Sequence, residues 1–166
     1  MKQTRLYNMI LPIWLLFPFP QVWLIALPGN LLIDCAVVLL TLLGLKHTQK
    51  WAVLKQIWWK VYLLGFAADF IGIALLIPTL LIDTVLTGTW FEWWSAYIGP
   101  VLYNCWKSPL AFLWTAAAVA LAGLFIYRFD MHAMKSCQLL SDRERHIMAL
   151  TLAIVTAPWT FFIPVA

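Results

Sequence analysis

Charge is what this chain is short of. Of its 166 residues 11% are charged and only 7 are acidic, where an ordinary soluble domain carries about 25% charged residues. So few ionised groups cannot clothe a water-soluble globule, and the 64% of residues that are hydrophobic point to a bilayer as solvent. Cysteine is scarce too: Cys35, Cys105 and Cys137, three in all with no CxxC spacing. That count argues against a disulfide framework. Free buried thiols are expected, with Cys35–Cys105 as the one pair that could meet near the outer face. GxSxG, HExxH, P-loop and dinucleotide-binding glycine patterns are all absent, which removes the commonest hydrolase, metalloprotease and nucleotide-binding signatures. His47, His132 and His146, together with Asp130 and Cys137, lack metal-ligand spacing on any one helix. They read as solvated loop residues, and no metal or cofactor is expected. Blocks of like charge are missing as well, so the formal charge of +4 is no nucleic-acid signal.

What the chain has in quantity is apolar segments. The expected fold class is all-α, a polytopic transmembrane helical bundle of about five spans plus one interfacial or re-entrant outer helix, forming a single integral-membrane domain. The expected spans are 6–27, 31–45, 61–82, 109–127 and 147–163. Pro28-Gly29-Asn30 reads as a turn between the first two. A variant starts the second near Gln21 with a kink at Pro28, leaving 6–17 re-entrant or interfacial. Lys46, Lys50, Lys55 and Lys60 alternate with Trp51, Trp58 and Trp59, as headgroup-level residues do. The outer connection, 83–108, is crowded with Trp90, Trp93, Trp94 and Trp106 and broken by Gly99-Pro100. Ser141-Asp142-Arg143-Glu144 resembles a capping box opening the last helix.

The cations orient this map. Lys2 and Arg5, the four Lys of 46–60, and Arg128, Lys135, Arg143 and Arg145 share one side, and only Lys107 falls on the other. The positive-inside rule then gives a multi-pass plasma-membrane protein, most simply bacterial, with its N-terminus cytoplasmic and its C-terminus outside.

Two acids fall within expected spans, Asp34 and Asp69. An acid at a helix centre costs roughly 2.5–3.5 kcal/mol on insertion scales, so each needs a reason. Gly65, Ala68 and Gly72 line one face beside Asp69, and small residues let helices approach closely in lipid. Asp69 is therefore expected against a neighbouring helix, either as an ion or substrate site or as a hydrogen-bonded strut to a hydroxyl, to Asn30 or to freed backbone. Asn30 and Asp34 share a helix face at i, i+4. Asn30 reads as an N-cap or as part of a polar vestibule with Asp34. In 109–127, Ala118 and Ala122 belong to the smallest face of the chain.

Three functions follow. The first is transport or permeation of a small solute or ion, using Asp69, Asp34 and Asn30. The second is a non-catalytic accessory subunit whose small-residue face in 109–127 packs on another membrane protein. The third is a lipid-modifying enzyme working through the Arg128–His146 segment. The first is preferred. The partners expected are the lipid bilayer and either a second copy or a second membrane protein.

Overall fold

Residues 20–85 and 87–164 are described by the computed structural model, and among them every regular element is helical. The elements are α1 (Pro20–Gly44), α2 (Lys50–Val85), α3 (Gly88–Tyr97), α4 (Pro109–Met134) and α5 (Asp142–Val155). Short 3₁₀ turns lie at Gly99–Leu102, Cys105–Lys107 and Trp159–Phe162. Three stretches are long and apolar enough to cross a membrane: Leu27–Gly44 in α1, Lys50–Thr79 in α2 and Pro109–Met134 in α4.

Local chemistry sets the helix ends. Pro109 opens α4, where a missing N–H costs nothing. Ser141 caps α5 as the spacing suggests: its hydroxyl accepts from the Glu144 N–H at 3.3 Å, and the Glu144 carboxylate accepts from the Ser141 N–H at 2.8 Å. Helix α1 closes with the His47 N–H on the Leu42 carbonyl and the Lys46 N–H on that of Leu43, both 3.0 Å. This is a Schellman-type ending. Its left-handed position, usually glycine, is Lys46 at φ 54°.

Several expected boundaries are corrected. Helix α1 runs unbroken through Pro28-Gly29-Asn30, so residues 20–27 belong with 31–44 and no turn separates the first two expected spans. The variant start near residue 21 is the one that fits, while residues 6–17 lie outside the described residues. Pro28 withdraws the N–H that would bond the Leu24 carbonyl, and beside it the Tyr62 hydroxyl ties α2 to α1 by donating to the Leu27 carbonyl at 3.2 Å. At Pro78 inside α2 the Trp114 indole N–H donates to the Leu75 carbonyl at 3.0 Å, three residues before the proline, and ties α4 to this part of the helix. The third expected span, 61–82, lies within the 36 residues of α2, and the Lys/Trp segment before it is helical from Lys50. Helix α4 continues to Met134, about two turns past the expected end at Tyr127. The last expected span, 147–163, is not one helix. Helix α5 spans 14 residues, about 21 Å, and stops ahead of Pro158, whose preceding residue is steered out of the α region. The chain then folds into the Trp159–Phe162 turn. In the outer connection α3 has no buried residue, whereas Val101 and Cys105 in the following turns are buried.

Helix α1 packs on α2 and α5, and α4 also packs on α2 and α5, with α1 and α4 on the diagonal. The expected packing residues make the α2–α4 contact. A Cβ at Gly72 would lie 3.0 Å from Ala122 Cβ and 3.3 Å from the Ala118 carbonyl oxygen. Ala68, Ala118 and Ala122 are fully buried. On the other flank Gly123 faces the Ala153 carbonyl of α5. The small face of α4, expected as a docking surface for another protein, is thus filled from within the chain.

Four helix ends meet at the cationic end. There His47 bonds the Leu139 carbonyl at 3.0 Å, Lys60 bonds the Ser136 hydroxyl, and the Arg145 guanidinium bonds the Cys137 carbonyl at 3.0 Å. The two connections, 45–49 and 135–141, are stitched together. At the opposite end the Trp106 indole donates to the Phe162 carbonyl at 2.8 Å, and Trp106, Phe112 and Phe162 cluster. All three cysteines are free.

Candidate functional site

Three carboxylates from three helices enter the bundle interior: Asp34 from α1, Asp69 from α2 and Asp130 from α4. Asp34 Oδ2 lies against Gly65, 3.9 Å from where a Cβ would stand. This is ordinary contact, so Gly65 leaves open space beside the acid without being sterically required. Asp69 follows Gly65 by one turn on the same helix face, and it interacts electrostatically with Asp34. Asp130 lies on α4, across the diagonal of the bundle from Asp34 on α1. With Gly72 opposite Ala118 and Ala122, the antiparallel register sets Asp130 at the level of Tyr62, one turn from Gly65. The three acids therefore occupy about 10 Å of bundle height.

Their surroundings are apolar and their polar partners few. Asp130 is 1% exposed, and neither of its carboxylate oxygens has a hydrogen-bond partner among the described residues. The same holds for Asp69 Oδ1. No ion pair among the described residues includes Asp34, Asp69 or Asp130. Buried polar groups are nearly always paired, and a buried carboxylate left unpaired costs several kcal/mol. A leucine or asparagine at Asp130 would make a more stable core, so packing does not account for it.

Of the expected site residues, Asp34 and Asp69 come together, on facing helices. Asn30 does not join them as a cap: it lies inside α1, partly exposed. No hydrogen bond among the described residues ties Asn30 to Asp69, so the proposed strut is not formed at Oδ1. Asp130, read from sequence as a solvated loop residue, is the most deeply buried acid of the three. A signal for it was present. Ala118, Ala122, Ile126 and Asp130 recur every four residues, one helix face carried past the end of the apolar run, and all four are buried.

The cationic end holds a second polar set, with defined roles. Nδ1 of His47 accepts from the Gln49 N–H at 3.1 Å, which leaves Nε2 to carry the proton donated to Leu139. Glu144 stands 4.0 Å from His47. The Ser141 N–H and hydroxyl hold the Glu144 carboxyl below its usual range, and His47 adds to the effect. Arg145 pairs with Asp142 at 2.9 Å, and the Tyr127 hydroxyl shares a hydrogen bond of 2.8 Å with His146 Nδ1. His132 is exposed. These contacts tie helices and turns, and no three metal-ligating side chains gather among the described residues. No known protein family, curated protein or solved structure matches this chain.

Proposed function

We propose that this is a small integral membrane protein that moves a small cation across the bilayer, with Asp34, Asp69 and Asp130 as the intramembrane binding groups. The observation carrying this reading is the placement of carboxylates from three helices within about 10 Å of bundle height, with Asp69 Oδ1 and both Asp130 oxygens buried and without a hydrogen-bond partner among the described residues. Intramembrane acids facing a bundle interior mark ion and proton pathways. A passing cation supplies the positive charge that the bundle itself withholds.

The cationic end faces the cytoplasm in this reading, following the positive-inside rule. Helix α3, with exposed Trp90 and Trp93, then rests in the outer headgroup layer, where aromatic rings partition. The membrane is the plasma membrane.

The test is ion flux into liposomes holding the purified chain, followed separately for protons, Na⁺ and K⁺. Wild type should conduct at least one of them. Asp34→Asn, Asp69→Asn and Asp130→Asn should each lower the flux while the protein elutes as a single folded species. Normal flux in all three folded variants, or no flux in wild type, sinks the reading.

A further inference from the structure

An interior acid site needs an entrance, and one pair of side chains at the cationic end is built as one. Tyr127 of α4 and His146 of α5 share a hydrogen bond of 2.8 Å, and their rings stack at 6.2 Å between centroids. His146 is exposed, while Tyr127 is half-buried against the core. Asp130 is Tyr127's neighbour one turn along α4, at i+3. It is almost fully buried, with both carboxylate oxygens unpartnered among the described residues. Imidazole, phenol and carboxylate thus form a graded series from water to interior. Several other polar groups of this end are engaged in holding it together: His47 on Leu139, Glu144 on Ser141, Arg145 on Cys137 and Asp142, and Lys60 on Ser136, while Arg128, His132, Lys135 and Arg143 are exposed.

The site's chemistry also bears on which ion passes. A hydrated metal ion entering a dry interior needs several oxygens in place of its water. Around Asp130 stand Ile126 and Met134, both buried and neither an oxygen donor. A proton needs one carboxylate oxygen and nothing more.

We propose that Tyr127 and His146 form a proton relay that feeds Asp130 from the cationic face, so that the cation moved through the acid site is the proton. This rests on the acid-site reading given above. In the relay step, His146 protonated on both ring nitrogens gives its Nδ1 proton to the Tyr127 oxygen. The phenol's own proton leaves for a carboxylate oxygen of Asp130 across one bridging water. Imidazolium becomes neutral imidazole, carboxylate becomes carboxylic acid, and the phenol is regenerated. One positive charge has moved inward, with no bonds changed except N–H and O–H.

The experiment uses the full chain in liposomes loaded with a pH-sensitive dye, with K⁺ and valinomycin setting the driving potential. A positioned proton carrier is worth about 10²-fold or more, so His146→Ala and Tyr127→Phe should each slow proton entry by roughly tenfold or more. Imidazole added to both sides should restore flux to His146→Ala and leave Asp130→Asn inactive. A purely structural role for His146 would not respond to imidazole. His146→Gln, which keeps a hydrogen-bonding group but carries no proton, should behave as His146→Ala while folding as wild type. Three results overturn the relay: unchanged proton flux in folded His146→Gln and Tyr127→Phe, loss of flux in His146→Ala that imidazole fails to restore, or wild-type flux of Na⁺ or K⁺ without protons. The last leaves the acid site standing, whereas absence of all flux removes the acid-site reading itself.

Discussion

Gly72 and Ala122 meet where α2 and α4 pack closely: a methyl group on Gly72 would stand 3.0 Å from Ala122 Cβ. Backbone lies just behind, since the Ala118 carbonyl oxygen is 3.3 Å away, so the clash cannot be relieved by turning a side chain. Gly72→Ala should therefore push α2 and α4 apart and destabilise the protein by about 1–3 kcal/mol, the usual range for overpacking. Ala122→Gly in the same chain should return part of that loss. Thermal unfolding in detergent of the two single variants and the double checks this. Strict additivity would mean that the two residues are not in contact.

Lys46 pays a conformational penalty at the end of α1, since its φ of 54° is a conformation that L-residues with a Cβ adopt reluctantly. Lys46→Gly should raise stability by about 0.5–1 kcal/mol after allowing for the greater freedom of glycine in the unfolded chain. A rise in melting temperature is the expected result, and a fall would show that the lysine's own contacts outweigh its backbone strain.

The cap on α5 predicts a pH dependence. Glu144 is held below its ordinary value by Ser141 and then by His47. A carboxyl with a lowered folded-state value stabilises the fold above its unfolded value, here near 4.5, and that stability drains away as pH falls through the folded value. Unfolding followed between pH 6 and 3 should show a loss that Glu144→Gln largely flattens. Ser141→Ala should cost about 1 kcal/mol at neutral pH. Because the Glu144 side chain keeps part of its surface in water, which screens its charge, the pH-dependent part is the smaller of the two effects.

An aromatic side chain from a packed helix donates to a carbonyl close to each interior proline, Tyr62 to Leu27 and Trp114 to Leu75. Trp114→Phe leaves the Leu75 carbonyl without its indole partner and should cost about 1–2 kcal/mol. Tyr62→Phe, which removes a longer and more exposed bond to Leu27, should cost less. Comparing the two melting temperatures orders them, and equal losses would mean that the indole bond carries no special weight beside Pro78.

What the sequence made legible was mostly periodic. The small faces at Gly65–Ala68–Gly72 and at Ala118–Ala122 follow from spacing alone, because close helix approach demands small side chains at i and i+4, whereas their pairing with each other emerges only from the structure. The capping box at Ser141 was legible for a similar reason, as it is a local pattern with a local cause. The misreadings share another origin. Pro28-Gly29-Asn30 looked like a turn by the habits of soluble proteins, but membrane helices carry proline in their interior more often than soluble ones do, and nothing within the triplet marks the difference. Asp130 was set in a loop because the apolar run stops near Arg128. Hydropathy marks where lipid ends, and helix α4 continues beyond that point, carrying its buried face with it. The break ahead of Pro158 was foreshadowed by the proline, yet 147–163 looked apolar enough to hide it.

The two ends of this bundle are fastened by different chemistry. Aromatic rings and the indole-to-carbonyl bonds of Trp106 and Trp159 hold the Trp106 end, and none of those groups ionises near neutral pH. The other end is sewn by a histidine, a carboxylate and two cationic side chains. A change of acidity or salt therefore reaches only one of the two closures, loosening the sewn connections while the aromatic clasp keeps its grip.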